Sequence, residues 1–372
     1  MSASLQRHGA GVRVFGKAMA FGVWLTGLPA RLVPPPVRLI QMGSAFWQSR
    51  ALYVAARLDM AGVLGEGMLE ASQIARQVGA DADAIGRLLR MLVSAGVFDV
   101  DAEGRFRNNR VSACLRGDHP QSVRAMVLMH NAAPMCRPWF EQLEGGVREG
   151  TAPFRRVHGE DLFAYLDRDP AFDRLFSEAM DCVEALSGDA FATDFDWRRF
   201  GRIIDVGGSR GAKSLAILRR HPGLSALVVD RAQVIAEAQR HWAAHPVPDC
   251  DRLSFAEGDL FGTLPVAEGE TDIYFLSALL HCFDDAACVT GLRYLGRVCG
   301  KARIAVLEMV LPESGVDAAG SAFDLQMFMA GGGRERRLSD WRRVVGQSGL
   351  VLEEVVGLRS FAKILVLRSA SA

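Results

Sequence analysis

The sequence predicts an α/β fold built on a doubly wound, Rossmann-like parallel sheet behind a helical N-terminal region. From residue 202 onward, short β-branched strands alternate with helical segments, as in parallel strands joined by crossover helices. Before that point the apolar residues follow helical spacing. Because 372 residues exceed the length of about 100–200 typical of one domain, we expect two domains, at 1–118 and 119–372.

The N-terminal domain is predicted to contain a winged helix. An apolar helical pattern spans 40–64, and Ser72 is expected to cap a short helix that ends at Gly79. A second helix is expected over about 83–95, followed by a hairpin of 97–100 and 105–107. Such a unit occurs in DNA-binding regulators and also as a packing unit.

Charge argues against nucleic acid as a partner. Arg87 and Arg90 are the only cations of the second predicted helix, near Asp81 and Asp83, whereas DNA binders carry a basic footprint. The whole chain balances 43 Lys plus Arg against 43 Asp plus Glu. We therefore expect a small-molecule partner and a winged helix used for packing and dimerisation. A DNA-binding regulator is the less favoured alternative.

An uncharged apolar stretch, residues 18–30, precedes the winged helix. It imitates a secretory signal, but glycine and proline interrupt it, and it is too short to span a bilayer. We expect an N-terminal arm that a second subunit covers, which makes the protein a homodimer. Association of the arm with a membrane surface is the less favoured alternative.

Cysteine usage indicates a reducing compartment. The seven cysteines are scattered and show no CxxC spacing, so the sequence predicts neither a disulfide framework nor a zinc site. No small-residue cleavage site follows the apolar stretch. We therefore expect a cytoplasmic protein.

The second domain is predicted to begin with helices and to continue with five strands. The helices are rich in Phe, Met and Trp and run from residue 119 to about 197. The strands are expected at 202–206, 226–230, 253–256, 272–276 and 303–308. Ligands of a doubly wound sheet bind at the carboxyl ends of its strands, so residues that follow each strand are the functional candidates.

A glycine-rich turn follows the first of these strands. It consists of Gly207, Gly208, Ser209, Arg210 and Gly211. Glycines let the backbone turn sharply and approach a ligand closely. Val206 stands where a dinucleotide fingerprint needs glycine, and Asp205 would repel a pyrophosphate but suits a ligand with an ammonium and a sulfonium. A tight turn without a ligand is the alternative.

Two further acids follow the next two strands. Asp230 ends the second strand, where a carboxylate can accept hydrogen bonds from both hydroxyls of a ribose. Asp259, next to Leu260, follows the third strand and could reach an adenine amine. Each acid alone could cap a loop, but with Asp205 they make three at successive strand ends, which favours a binding site.

A histidine and two glutamates are expected at the same edge of the sheet. His281 follows the fourth strand, Glu308 ends the fifth, and Glu335 lies in a segment rich in glycine and arginine. A lone histidine is more often structural than catalytic, but two neighbouring carboxylates favour a general base with supporting acids. No metal cluster is visible, so we expect no metal.

Four ordered segments, 205–211, 279–285, 306–312 and 324–341, together resemble the O-methyltransferase family of caffeate, acetylserotonin and bacterial natural-product tailoring enzymes. The resemblance implies a class I methyltransferase fold, the cofactor S-adenosylmethionine and an N-terminal dimerisation domain. His281 would be the base, with Glu308 and Glu335 beside it. Cofactor contacts would come from Gly207, Gly208, Ser209, Gly211, Asp230, Asp259 and Leu260, and acceptor contacts from Phe176, Met180 and Met327.

Four positions depart from the pattern of that family. Ser209 replaces a common third glycine, and Ser277 replaces a lysine that often contacts the cofactor. Cys282 and Phe283 stand where Asp and Trp usually follow the histidine. The first pair bears on cofactor affinity and the second on the choice of acceptor.

The expected reaction is methyl transfer to a hydroxyl of a small aromatic or polyketide-like metabolite. A sulfonium is a good leaving group, so the protein has to align the acceptor and remove its proton. A phenol has a pKa of about 10 and an imidazole about 6.5, so His281 would assist proton removal in the transition state. Alternatives are a sulfur, nitrogen or carbon acceptor, and an enzyme that binds S-adenosylmethionine without methylating.

Overall fold

The computed structural model describes residues 5–370, with the side chains at 23, 26, 28–31 and 183–187 left aside. The chain divides into two compact units. One comprises 22–144 and 156–186, and the other comprises residues up to 21, 145–155 and 187 onward. The sequence predicts a boundary between two domains at residue 118. These two units do not test that boundary, which stays a prediction. None of the helices in the described range combines the length and apolar character needed to cross a bilayer.

The N-terminal part forms the predicted winged helix. Its helices are α1 (Gly9–Leu32), α2 (Pro35–Arg57), α3 (Met60–Leu64), α4 (Ala71–Val78) and α5 (Ala82–Ser94). Its strands are β1 (Met68–Leu69), β2 (Phe98–Val100) and β3 (Phe106–Asn108), in the order β1-β3-β2. Ile74, Leu89 and Phe98 are buried in the core of this unit.

Two local predictions in this region were wrong. The helix predicted over 40–64 is broken at Asp59, whose φ of 52° lies in the left-handed region that ends a right-handed helix. Ser72 is not a helix cap, because α4 already begins at Ala71. Glu70 is the capping residue, and its N–H donates to Oε1 of Gln73 at 2.8 Å.

Along the sequence, helices occupy the stretch between the winged helix and the first strand of the large sheet, as predicted. They are α6 (Arg124–Asn131), α7 (Ala133–Glu141), α8 (Leu143–Glu149), α9 (Pro153–His158), α10 (Leu162–Arg168), α11 (Pro170–Ser187) and α12 (Ala190–Asp194). Residues 156–186 belong to the unit of the winged helix, and 187 onward to the unit of the sheet.

The sheet has all five predicted strands and further ones. The strands are β4 (Arg202–Val206), β5 (Ser225–Asp230), β6 (Leu253–Glu257), β7 (Asp272–Ser277), β8 (Arg303–Leu311), β9 (Arg336–Arg337), β10 (Leu350–Gly357) and β11 (Ala362–Ser369). The order β10-β11-β8-β7-β4-β5-β6 confirms the doubly wound α/β fold, with β9 beside the end of β8. The antiparallel strands β10 and β11 were not predicted.

Helices cover both faces of the sheet. They are α13 (Ala212–Arg220), α14 (Ala232–Ala244), α15 (Asp285–Val298), α16 (Ala318–Gly331) and α17 (Leu338–Gln347). Neighbouring residues of β4 point to opposite faces, with Ile203 in the core around Trp197 and Ile204 in the core around Trp341. The strand order reverses between β4 and β7, so the edge beyond these two strands is where a ligand is expected.

Candidate active site

The glycine-rich turn lies at the reversal point, between β4 and α13. Gly207 has a φ of +73°, and a Cβ built there would lie 2.9 Å from a methyl group of Leu279. Only glycine fits so close to the segment that follows β7. The carboxylate of Asp205 is buried beneath the turn and accepts a hydrogen bond from Oγ of Ser214 at 2.7 Å.

Asp230 connects the turn to the loop after β6. Its Oδ2 accepts from the N–H of Ser209 at 2.9 Å, its Oδ1 accepts from Arg231 at 2.8 Å, and its carbonyl accepts from Gly258 at 3.0 Å. Burial raises the pKa of this carboxyl, while the two backbone N–H groups lower it. Each carboxylate oxygen retains accepting capacity for a ligand hydroxyl.

Asp259 and Leu260 lie beside this connection. Asp259 is exposed, and its Oδ1 accepts from the N–H of Phe261 at 2.7 Å. Leu260 is buried, and a Cβ built at Gly291 of α15 would lie 2.8 Å from its side chain. In the loop that was expected near an adenine, Leu260 is therefore fixed in the core while Asp259 stays open to solvent.

His281 faces two buried carboxylates, as predicted. It lies on a short 3₁₀ turn, Leu280–Cys282, after β7. Its Nδ1 is 2.8 Å from Oε1 of Glu335 and 3.5 Å from Oε2 of Glu308. The side chains of both glutamates are at most 2% exposed, against 18% for His281. We call these three residues the base cluster.

Backbone groups hold the base cluster in place. Oε1 of Glu308 accepts from the N–H groups of Leu279, Leu280 and His281 at 3.0, 2.8 and 3.3 Å. The N–H of Glu335 donates to Oδ1 of Asp324 on α16 at 2.8 Å. Sequence reasoning missed Asp324, because no local spacing relates it to Glu335, 11 residues later.

The charges of the base cluster depend on one another. Burial by itself lowers the pKa of His281, but Glu308, Cys282 and Glu335 raise it, and the result lies well above the usual range of imidazole. Burial also raises the pKa of Glu308, and the negative charge of Glu335 adds to this effect. The cluster therefore binds protons tightly.

The base cluster could also hold a metal ion. Among the described residues it is the one group of three or more His, Cys, Asp or Glu side chains whose ligand atoms all lie within 4.8 Å of one another. Oε2 of both glutamates is buried and makes no hydrogen bond in the described part of the chain. The sequence-based expectation of no metal stays a prediction.

The expected acceptor residues are divided between the two units. Phe176 and Met180 lie on α11, in the unit of the winged helix, where Met180 is exposed and Phe176 half-buried. Met327 lies on α16, three residues after Asp324 and hence on the same side of that helix. Met327 is therefore near the residue that holds Glu335.

The four unusual positions surround the reversal point. Ser209 adopts a φ of 53°, so it takes the left-handed conformation that a glycine would favour. Oγ of Ser277 is buried and makes no hydrogen bond to any described residue. The ring of Phe283 meets that of Phe261 edge to face, with 5.1 Å between centroids. Cys282 is partly exposed.

Comparison with known families matches two models to the chain. A dimerisation domain of O-methyltransferases matches residues 40–118, and an O-methyltransferase domain matches residues 140–351. The fold is thus that of a class I methyltransferase. The chain belongs to the O-methyltransferase family, which uses S-adenosylmethionine as its methyl donor, and the dimerisation domain supports a homodimer.

Relatives that resemble the chain over most of its length come from natural-product biosynthesis. Phenazine O-methyltransferase PhzM of Lysobacter antibioticus is 32% identical over 91% of this chain and 98% of its own. Phenazine-1-carboxylate N-methyltransferase of Pseudomonas aeruginosa is 31% identical over 88% of this chain and 96% of its own.

A solved relative contains S-adenosylmethionine and a second small molecule. It is an O-methyltransferase from neocarzinostatin biosynthesis, in complex with S-adenosylmethionine and 2-hydroxy-5-methyl naphthoic acid. It is 30% identical, covers 86% of this chain and 95% of its own, and superposes with a TM-score of 0.74. The chain is therefore a methyltransferase that depends on S-adenosylmethionine.

Proposed function

We propose that the protein methylates a hydroxyl of a small aromatic or polyketide-like metabolite, with His281 as the general base. The observation that carries this proposal is the 2.8 Å contact between Nδ1 of His281 and Oε1 of Glu335. In the neutral ring this contact places the proton on Nδ1, which donates it to the carboxylate, so Nε2 is the nitrogen that accepts a proton.

The edge beyond β4 and β7 suits S-adenosylmethionine. Asp230 has accepting capacity for ribose hydroxyls, and the buried Oγ of Ser277 lacks a partner that a bound molecule would supply. The turn of Gly207, Gly208, Ser209 and Gly211 would approach the cofactor through its backbone, and Asp259 and Leu260 would flank the adenine. When bound, the cofactor supplies an electrophilic methyl group on a sulfonium.

The base cluster then has one task, which is to take the proton of the acceptor hydroxyl. Nε2 of His281 receives it, and Glu335 stabilises the imidazolium that forms. Glu308 acts on the same ring from 3.5 Å and fixes the turn through its other oxygen. General-base assistance of this kind contributes about 10²- to 10⁴-fold in rate.

Aromatic acceptors are supported by the relatives and by the composition of the site. The complex from neocarzinostatin biosynthesis contains a hydroxylated naphthoic acid. Phe176 and Met180 in one unit, and Met327 in the other, are each an apolar or polarisable side chain of the kind on which an aromatic ring packs.

We propose that the protein is a homodimer, that it works in the cytoplasm and that it does not bind nucleic acid. All seven cysteines are unpaired, as in a reducing compartment. Part of the basic charge of the winged helix is neutralised, because Arg87 is paired with Asp83 at 2.6 Å and Arg105 with Asp101 at 2.7 Å. This disfavours a role for it as the basic footprint of a DNA binder.

A nitrogen acceptor is the second candidate. The relative from Pseudomonas aeruginosa is named as an N-methyltransferase, although its sequence is as similar to this chain as those of the O-methyltransferases. An amine without an ionisable proton needs no base. Dependence of turnover on His281 therefore separates the two candidates.

The test of the base is His281→Ala, compared with His245→Ala at an exposed histidine. With phenolic acceptors and labelled cofactor, we expect a loss of about 100- to 10,000-fold in kcat for His281→Ala and unchanged cofactor affinity. The control should keep wild-type turnover. Equal turnover of wild type and His281→Ala at a saturating phenolic acceptor would overturn the base assignment, whereas methylation of amines but not of phenols would favour the nitrogen acceptor.

The test of the cofactor site is Asp230→Ala, compared with Asp251→Ala at an exposed carboxyl. Loss of hydrogen bonds to a charged group should weaken S-adenosylmethionine binding by about 1.5–3 kcal/mol, as measured by calorimetry. Asp230→Asn, which keeps one acceptor oxygen, should lose less. An unchanged Kd in folded Asp230→Ala would exclude Asp230 from the site.

A further inference from the structure

A fully buried arginine follows Glu335 in the sequence. The side chain of Arg336 has no exposed surface, which is rare for arginine unless its charge and its donors are satisfied. Nε donates to Oδ1 of Asp285 at 2.9 Å, and the guanidinium carbon lies 5.2 Å from the centre of the Trp341 ring. The methyl-transfer mechanism proposed above gives this residue no role.

The remaining donors of Arg336 bind backbone carbonyls on both sides of the base cluster. Nη1 donates to the carbonyl of Leu280 at 3.1 Å, and Nη2 to that of Phe283 at 2.8 Å. These two carbonyls bracket the turn that carries His281. Nη1 also reaches the carbonyl of Arg334 at 3.3 Å, directly before Glu335. The guanidinium of Arg336 thus binds both the segment that carries His281 and the segment that carries Glu335.

The two segments also meet through their backbones. The N–H of Arg334 donates to the carbonyl of His281 at 2.9 Å. A Cβ built at Gly333 would lie 2.1 Å from the same carbonyl oxygen, so only glycine allows this approach. The backbone contact brings the segments together, and Arg336 fixes their register.

We propose that Arg336, with Asp285 as its counter-ion, is a positioning residue that holds His281 at hydrogen-bond distance from Glu335. The proposal rests on the proposed function of His281 as the base. A hydrogen bond of 2.8 Å is lost when its partners separate by about 1 Å. Small displacements of this size in an active site cost about 100-fold in rate.

Lysine cannot replace Arg336 in this role. The guanidinium is a rigid planar fork that binds three carbonyls and one carboxylate together, whereas an ammonium is a single point charge on a flexible stem. Asp285 also faces Arg343 at 2.9 Å and Arg334 at 3.9 Å. The counter-ion therefore stays charged whichever of its partners is altered.

Several charged or titratable groups face His281 and Arg336. Glu308 of β8, Glu335 and Cys282 face His281, and Asp285 of α15 faces Arg336. Because Glu335 raises the pKa of His281, separation of the pair should lower that pKa. This shift distinguishes positioning from a purely structural role, which would alter stability alone.

The experiment compares Arg336→Lys with Arg343→Lys in the full-length protein. Arg343 contacts the same Asp285 but makes no hydrogen bond to the turn. For Arg336→Lys we expect kcat to fall about 10- to 100-fold, the KM for the cofactor to stay within about twofold, and the His281 pKa measured by NMR to fall. Arg343→Lys should match the wild type in all three.

The second variant is Asp285→Asn. It keeps the side-chain volume but removes the charge that pairs with Arg336, so it should disturb the contact between the segments of His281 and Glu335 less than Arg336→Lys does. It should lower the NMR pKa of His281 in the same direction. An unchanged His281 titration in folded Arg336→Lys or Asp285→Asn would overturn the proposal. If the titration shifts while His281→Ala retains turnover, the positioning role stands and the base assignment falls.

Discussion

At the scale of single residues, the role that we propose for His281 as the base makes activity depend on the protonation of its ring. A general base must be neutral before it can accept a proton, yet the pKa of His281 lies above its usual value of about 6.5. At lower pH the ring is already protonated and cannot act. Activity should therefore rise as the pH increases through this raised pKa.

Glu308→Gln tests this dependence. The amide oxygen of glutamine can still accept from the backbone of the 279–281 turn, while the negative charge beside His281 is removed. The pKa of His281 should fall, so the acidic limb of the profile of kcat/KM against pH should move to lower pH. Glu270→Gln, at an exposed carboxylate, is the control. A limb that stays in place or moves to higher pH would refute the electrostatic role of Glu308.

The sequence predicted which residues form the base cluster but not how they are held. His281, Glu308 and Glu335 each lie near a strand end, and strand ends of parallel sheets share one edge. The backbone hydrogen bonds to Glu308 depend on a turn in which Ala278 adopts a φ of 50°. An alanine gives no sequence signal for this strained conformation.

At the scale of elements, burial explains only part of which strands were predictable. The parallel strands β4 and β7 are buried on both faces and are mostly apolar, whereas the predicted strand β6 is largely half-buried or exposed. In β10 most residues are half-buried, and charged residues such as Glu353 interrupt the apolar pattern. β11 contains a buried apolar run, 364–367, which the sequence analysis missed. The pairing of these two strands depends on contacts with β8, which the local pattern does not encode.

The turn between β4 and α13 gives the element-scale prediction. Gly211 precedes α13 with a φ of +78°, and a Cβ built there would lie 2.8 Å from a methyl group of Val228. Gly211→Ala should therefore destabilise the protein by about 1–3 kcal/mol in denaturant unfolding and weaken cofactor binding. Gly223→Ala, at a glycine with open space around it, should change neither. Equal midpoints for the two variants would contradict this account.

At the scale of the whole molecule, the net charge is zero, but basic and acidic residues are unevenly distributed along the chain. The first 58 residues contain seven Lys or Arg and no Asp or Glu, so the remainder carries an equal excess of acid. Within α2, Leu39, Ile40 and Met42 are each at least 65% exposed in the single chain. This surface lies at the start of the matched dimerisation domain, and a second copy offers it both apolar and acidic partners.

Leu39→Glu with Ile40→Glu should therefore weaken the dimer. Burying two carboxylates without partners costs several kcal/mol, so light scattering at micromolar concentration should detect monomers. Val316→Glu, at a valine that is 85% exposed on the other unit, should leave the dimer intact. A double variant that remains dimeric, and a wild type bound to anionic vesicles instead, would favour the membrane alternative for the N-terminal arm.

The discontinuous division of the chain bears on how such an enzyme diversifies. Residues 156–186 leave the unit of the sheet and contain Phe176 and Met180, two of the three proposed acceptor contacts. The residues proposed to bind the cofactor or take the proton all lie in the other unit. Apart from Met327, selection for a new acceptor can therefore act on one short stretch of the gene, while the residues proposed for methyl transfer are inherited unchanged.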